Sequence, residues 1–530
     1  MTARLFTGAR LLQPDPAPAE VDSMAFADGR IVAVGTAEQC RAALPSDAEA
    51  VHLDGAVVAP GFVDAHLHPM VMSVFEQQLV LDSVSSVGEV LDAVRDQARS
   101  TDPSRAVIGF QLDDARLAER RLPTAEELQA AAGPGRDVVL VRRDGHHAVA
   151  SEAALRSVGF DRAGTVVEGG SVELDAHGVP TGLVRERAVE PLLGLMGEVT
   201  MEDLSAGAKS WSQRLLRQGV TALSAMCQTT AEGPSGGAGE LEAVGWSALV
   251  DQLPFDIQTI LITPDVADVD VYRRTPLHQP DAGRRLDAVK LFLDGTLGGC
   301  TACMHLPFSD HPHTNGLATI DPEVAYRRLE DAHLAGMSAC VHAIGDAANA
   351  RAAELFGRLL DAHPGVHRHR VEHASVLDQA TVERFAELGL TAVVQPINLR
   401  SEAHWLSDRV GAERLSGTYA FRSLLDAGVR VAGSSDAPIE STDVLAAMDA
   451  AAHRPTLGPD QTVSGLEALH FYTTGSSAAR GTEDRLGSLA AGLRADVVVL
   501  SDDPTVVRPA KVQVQRTVIG GIDHFVAPGA

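Results

Sequence analysis

The sequence has 530 residues, with 44 Lys+Arg against 71 Asp+Glu for a formal net charge of −27, and 45% hydrophobic against 22% charged residues. That composition excludes a disordered chain, and the acidity argues against a nucleic-acid groove or an anionic membrane surface as the main partner. No run approaches the roughly 18 consecutive apolar residues of a membrane span, and Met1-Thr-Ala-Arg-Leu-Phe-Thr-Gly has no apolar signal core, so a cytoplasmic protein is expected.

In chain order, residues 1–60 read as short strands joined by turns, with Asp28-Gly29 and Asp54-Gly55 flanked by β-formers. The last forty-odd residues look alike: Ala495-Asp-Val-Val-Val-Leu and the alternating Lys511-Val-Gln-Val-Gln-Arg-Thr-Val-Ile. Two β-rich ends around a different middle suggest one small sheet domain built from both termini. From about Asp203 onward the rhythm changes, because amphipathic helical stretches end at Gly219, Gly336, Gly389 and Gly428 and a short apolar run follows each. Asp321-Pro322 is a good cap and first-turn pair. Helix alternating with buried strand means βα units on a parallel sheet.

The strands are Phe62-Val-Asp-Ala, Val220-Thr-Ala-Leu, Ile257-Gln-Thr-Ile-Leu-Ile, Ala288-Val-Lys-Leu-Phe, Ser338-Ala-Cys-Val-His, His369-Arg-Val-Glu-His, Thr391-Ala-Val-Val and Val429-Arg-Val-Ala. Eight such strands close a (β/α)8 TIM barrel, an α/β fold of about 250 residues. After the first strand, about 130 residues precede the next helix, far more than the usual βα loop of 2–6, so an inserted subdomain is expected there. It contains the helical stretch Thr124-Ala-Glu-Glu-Leu-Gln-Ala-Ala-Ala and several apolar β runs.

Barrel enzymes place their chemistry at the C-terminal ends of the strands. Strand one ends in Asp64-Ala-His66-Leu-His68, whose two histidines lie two residues apart and share a face. Lys290 lies on strand four, His342 ends strand five, His373 ends strand six, and strand eight runs into Ser434-Ser-Asp436. Imidazoles and a carboxylate converging on one rim suit Zn²⁺ or a similar divalent ion with open positions for water.

Gly61-Phe-Val-Asp-Ala-His-Leu-His resembles the first-strand signature of the metal-dependent amidohydrolase superfamily. Asp144-Gly-His146, Lys290-Leu-Phe-Leu-Asp-Gly, Val341-His-Ala-Ile-Gly-Asp, Arg370-Val-Glu-His373, Gly433-Ser-Ser-Asp-Ala-Pro438 and Gly487-Ser-Leu-Ala-Ala-Gly-Leu-Arg-Ala-Asp496 follow in collinear order. Together they are similar to the YtcJ-like branch (amidohydrolase family 3), which includes N-substituted formamide deformylases. The resemblance implies a metal centre in which His66 and His68 bind one ion and His342 and His373 a second. Lys290 would bridge them as an N-carboxylated lysine, and Asp436 would bind metal and carry the proton. If Lys290 stays an ammonium, a single-metal site is the alternative, so one or two divalent ions per chain, zinc first, are expected. His146 would support catalysis by polarising the substrate. After His146 this chain reads His147-Ala-Val-Ala-Ser, where the family continues with an aromatic residue and an Asn, so the pocket wall differs.

The implied organisation is a composite β-sandwich domain of residues 1–60 and 485–530, and a barrel over 61–484 with the insertion at about 70–200. The implied activity is hydrolysis of a C–N bond in an amide-like substrate, an N-acyl or N-formyl amine, by metal-activated water. The alternatives are a deaminase of a heterocyclic substrate and a non-catalytic metal-binding regulatory protein. A small-molecule substrate is the expected partner, with no nucleic acid and no membrane, and a homodimer is left open. Cys40, Cys227, Cys300, Cys303 and Cys340 are too few and scattered for a disulfide framework, and Cys300-Thr-Ala-Cys303 reads as two small reduced cysteines. His305, His311 and His313 read as solvated loop residues, while Trp405 and Arg400 are candidates for the pocket lining.

Overall fold

Continuous apolar runs rich in Val, Ile, Leu and Ala form strands buried on both faces, as a parallel sheet covered by helices requires. They are β1 (Phe62–Leu67), β2 (Val220–Gln228), β3 (Asp256–Ile262), β4 (Arg284–Phe292), β5 (Ser338–Ala343), β6 (Arg370–His373), β7 (Thr391–Val394) and β8 (Arg430–Gly433). In this computed structural model, which describes residues 3–12, 21–114, 116–143, 147–161, 167, 170–186, 188–197, 199–233, 235–454 and 457–529, they pair in sequence order as one parallel sheet. A parallel bridge between Leu67 and Ala437 brings the two edge strands together and nearly closes the barrel. All eight expected strands are present, with β4 starting four residues earlier than its apolar run, at Arg284.

The helix signals read from sequence are also where the chain turns. Asp321 caps helix Pro322–Leu334 by accepting the N–H groups of Glu323 and Val324 at 3.0 and 3.2 Å. Gly389 ends helix Gln379–Leu388 at φ 67°, a left-handed conformation that glycine adopts without the Cβ penalty. Among the described residues no helix is long and apolar enough to cross a membrane.

By packing, the chain divides into one unit of Met1–Met70 with Ser212–Ala530 and another of Val71–Trp211. In the first, both termini add to the barrel. A four-stranded sheet orders Arg30–Gly35, Ser23–Ala27, Arg4–Thr7 and Glu49–His52; a five-stranded sheet orders Arg10–Leu11, Val57–Pro60, Val497–Leu500, Val514–Ile519 and Ile522–Val526. Val57–Pro60 runs antiparallel to Val497–Leu500 with Val497 opposite Pro60, so the two chain ends pair directly. Phe6, Phe26 and Ile31 of one sheet share an apolar cluster with Val58, Val497, Val499 and Val518 of the other.

The second unit holds a six-stranded sheet ordered Gly170–Leu174, Pro180–Glu186, His147–Ala150, Val138–Arg142, Val107–Leu112 and Leu79–Val80. Strand alternation sends Ile108, Val139 and Val141 into one apolar cluster and Val107, Val138 and Leu140 into another, so both faces are covered. Helix Ala125–Ala132, expected from the sequence, opens on a capping box between Thr124 and Glu127.

Candidate metal centre

The rim side chains come from β1, β4, β5, β6 and the segment after β8, and three residues there leave the strand conformation. Neighbouring residues on a strand point to opposite faces. Glu372 and His373 nevertheless both reach His66: Glu372 Oε2 lies 2.6 Å from His66 Nδ1, and the His373 and His66 ring centroids are 5.2 Å apart. The reversal comes from His373 and Ala374, at φ 73° and 44°. Asp436 sits at φ 58° and is held there by its N–H, which donates to the His66 carbonyl at 2.8 Å. Non-glycine residues in this region cost of order 1–3 kcal/mol each and persist where the surroundings over-determine them.

The carboxylate of Asp436 is the hub. Its Oδ1 lies 3.1 Å from His66 Nε2 and 3.3 Å from His68 Nε2, and its Oδ2 lies 4.0 Å from His373 Nδ1. Lys290 Nζ lies 3.0 Å from His66 Nε2 and 4.8 Å from the Phe292 ring centroid. His66, His373 and Asp436 each bring one ligand atom within 4.8 Å of the others. The His342 ring packs 4.4 Å from that of His373, but its Nε2 faces the Gly295 carbonyl at 3.0 Å and Asp294 Oδ1 at 3.4 Å. His342 therefore has only Nδ1 left as a lone-pair donor.

Hydrogen bonds assign the tautomers. A carboxylate only accepts, so Glu372 makes His66 Nδ1 the N–H donor and leaves Nε2 with its lone pair. Gln395 Nε2 donates to Ser434 Oγ at 2.8 Å, which orients Gln395 Oε1 to accept from His373 Nδ1 at 3.0 Å. His66 Nε2 thus faces Asp436 Oδ1 at 3.1 Å and Lys290 Nζ at 3.0 Å, so a ring nitrogen and a carboxylate oxygen converge beside the lysine. Neutral imidazole nitrogens with their other N–H engaged, beside a carboxylate, are a donor set that fits a divalent cation.

The charge states agree. Burial lowers the pKa of His68 to about 4 and that of His373 to about 3, and pushes His342 well below its ordinary value, so these rings stay neutral near pH 7. Burial alone would raise the Asp436 carboxyl, but the adjacent His66, His68 and His373 rings hold it well below the usual carboxylate range. Burial lowers the Lys290 ammonium.

Of the residues expected from sequence, His66, His68, Lys290, His373 and Asp436 come together, and His342 joins them by ring contact. Asp144 and His146 lie outside the described residues. Cys300 and Cys303 are free thiols, as expected, and His305 and His313 are exposed. Trp405 packs against the Arg409 guanidinium at 5.3 Å and Arg400 reaches Asp449 at 3.8 Å; neither contact belongs to the His–Asp cluster. Sequence reasoning missed Asp64, Asp294, Arg370, Glu372 and Gln395. Asp64 Oδ1 accepts the N–H groups of His66 and Ser435, both at 3.1 Å, and burial raises its pKa to about 6. Asp294 accepts from Gly345, Cys303 and Ile344 at 2.8, 2.9 and 3.1 Å, joining the loops that follow β4 and β5. Of these, only Asp64 and Glu372 stand within two residues of a ligand in an otherwise apolar strand end.

A parallel eight-stranded barrel whose C-terminal rim gathers histidines and an aspartate able to hold a cation defines a metal-dependent hydrolase barrel. Residues 49–522 match the amidohydrolase family. The YtcJ protein of Bacillus subtilis (strain 168) is 31% identical over 522 residues, covering 93% of this chain and 94% of the relative. An N-substituted formamide deformylase of Arthrobacter pascens is 27% identical over 541 residues, covering 95% and 94%. An uncharacterized metal-dependent hydrolase from Pyrococcus furiosus matches in structure with a TM-score of 0.73 at 28% identity, over 95% of this chain and all (100%) of that one. The chain belongs to the amidohydrolase family and is an enzyme of that kind, a hydrolase acting on carbon–nitrogen bonds other than peptide bonds.

Proposed function

We propose that the protein hydrolyses an N-acyl or N-formyl amine, using a divalent cation, zinc first, held by His66, His68, His373 and Asp436. The convergence of His66, His373 and Asp436 ligand atoms within 4.8 Å carries this reading. The deformylase relative, 94% of whose length is covered, supports the substrate class. Bound there, such a cation would lower the pKa of water from 15.7 to about 7 and polarise a carbonyl oxygen.

The chain's own groups then do the rest. Asp436, ionised at neutral pH, accepts the proton of the attacking water at a carboxylate oxygen and returns it to the leaving amine nitrogen. Lys290, once its neutral amine has added CO2 and lost a proton to become an N-carboxylate, would help His342 hold a second ion; burial favours that neutral amine. His146 would polarise the substrate carbonyl. The two terminal sheets would form a β-sandwich, and five free thiols suit a cytoplasmic setting.

The test is a panel of N-formyl amines, N-acyl amines and amino-heterocycles incubated with metal-loaded protein. Formate or carboxylate release that stops on chelation is expected. Ammonia released from a heterocycle, with every amide left intact, would overturn the substrate class.

A further inference from the structure

We propose that Arg370 and Glu372 act as a positioning pair that orients His66 and so sets the affinity of the centre for a divalent cation. The proposal deepens the metal reading above and rests on it. In the sheet, β1 neighbours β2 and approaches β8, whereas β6 neighbours β5 and β7, so no backbone ladder joins β1 to β6. The link between them is made by side chains across the barrel interior. Glu372 Oε2 takes the Nδ1–H of His66 at 2.6 Å. Arg370, two residues earlier on β6 and therefore on the same face, donates Nε to Glu372 Oε1 and Nη2 to Glu372 Oε2 at 3.3 Å. The same Nη2 donates to the carbonyl of Ala65, the residue before His66, at 2.7 Å. One guanidinium thus holds both the carboxylate that grips the ring and the backbone that carries it.

Both side chains are almost completely enclosed, at 1% and 0% exposure. A carboxylate placed there without its guanidinium would be an unpaired buried charge. With the pair in place the His66 ring has one available orientation and one tautomer, and Nε2 is presented toward Asp436 and Lys290. Acidic partners behind metal-binding histidines act in this way, and removing them typically weakens metal affinity 10–100-fold.

Glu372→Gln keeps the shape but removes the charge, and it strands Arg370, so it risks unfolding the barrel. Arg370→Met combined with Glu372→Gln removes both charges and keeps the volume, a change buried pairs often tolerate. The measurement is Zn²⁺ affinity by competition with a chromophoric chelator, alongside apo-protein melting and the visible spectrum of the Co²⁺-loaded form. The double variant is expected to melt near the wild type as apo-protein, to bind Zn²⁺ about 10–100-fold more weakly, and to give an altered Co²⁺ spectrum. A folded double variant that binds Zn²⁺ with wild-type affinity would overturn the positioning role. Failure of the wild type itself to bind Zn²⁺ would instead overturn the metal reading, and the pair's role with it.

Discussion

Asp436→Asn is the sharpest perturbation of the site because the structure limits what else it can change. The Asp436 carboxylate is shared by His66 and His68 at 3.1 and 3.3 Å and approaches His373 at 4.0 Å. Asparagine keeps its size and tolerates the left-handed backbone at φ 58°, and the N–H bond to the His66 carbonyl at 2.8 Å is untouched. Alanine at this position would add about 1 kcal/mol of backbone strain, so the asparagine variant isolates the chemistry. Loss of a general base costs about 10²–10⁴ in rate, equivalent to roughly 3–5 kcal/mol on the barrier. Steady-state kinetics on the best substrate of the amide panel, with metal content and melting temperature, should show kcat down about 10³-fold, metal largely retained by the histidines, and an unchanged fold. Turnover within tenfold of wild type in the metal-loaded variant would remove Asp436 from the proton-carrying role.

Further outcomes follow from other parts of the molecule. Away from the site, His369 Nδ1 accepts the Ala339 N–H at 3.1 Å and its Nε2 meets His333 Nδ1 at 2.9 Å, with His367 stacked at 4.8 Å. Burial, aided by those two rings, lowers its pKa to about 3, below the unfolded value, so the unfolded chain binds the extra proton first. Stability from this group is complete above about pH 6.5 and falls as the pH drops toward 3, by on the order of 5 kcal/mol in all. His369→Asn keeps an acceptor for Ala339 and should flatten melting curves between pH 7.5 and 5; an unchanged slope would contradict the assignment. Arg409 donates to the carbonyls of Leu297 and Gly298 and to Asp310 at 2.9 and 2.8 Å, tying the loop after β7 to the one after β4. Arg409→Ala should lower stability by about 2 kcal/mol and kcat/KM roughly tenfold, and wild-type values for both would dismiss the tie. Lys290→Ala should reduce the ions bound per chain from two to one by metal analysis; a single ion in the wild type would remove the bridging lysine.

The barrel was legible because its strands are buried on both faces and its helices end in local signals, both written in short windows. Asp321, Gly389 and the eight apolar runs are of that kind. The rim histidines were legible because they follow those runs in a recognisable order. Glu372, Arg370 and Gln395 were not, because their meaning lies in contacts with residues distant in the chain, such as Glu372 with His66, 306 positions away. Strand alternation would have sent Glu372 and His373 to opposite faces, and the left-handed turn at His373 that reunites them leaves no mark on the residue type. The His342 nitrogen committed to Gly295 is equally invisible without a loop conformation. In the Val71–Trp211 unit the apolar β runs were visible, but a mixed strand order with both faces covered is set by pairing, which periodicity does not encode.

Metal analysis joined to activity tests the central claim most directly. Purified protein, its His66→Ala/His373→Ala double variant, and wild type stripped by a chelator should be assayed for bound ions and for release of formate or carboxylate. Bound divalent metal is expected in the wild type, with metal and hydrolysis lost together in the variant and hydrolysis restored to stripped protein by Zn²⁺. Hydrolysis that proceeds at the same rate in metal-free wild type and in the double variant would contradict the metal-centred hydrolase.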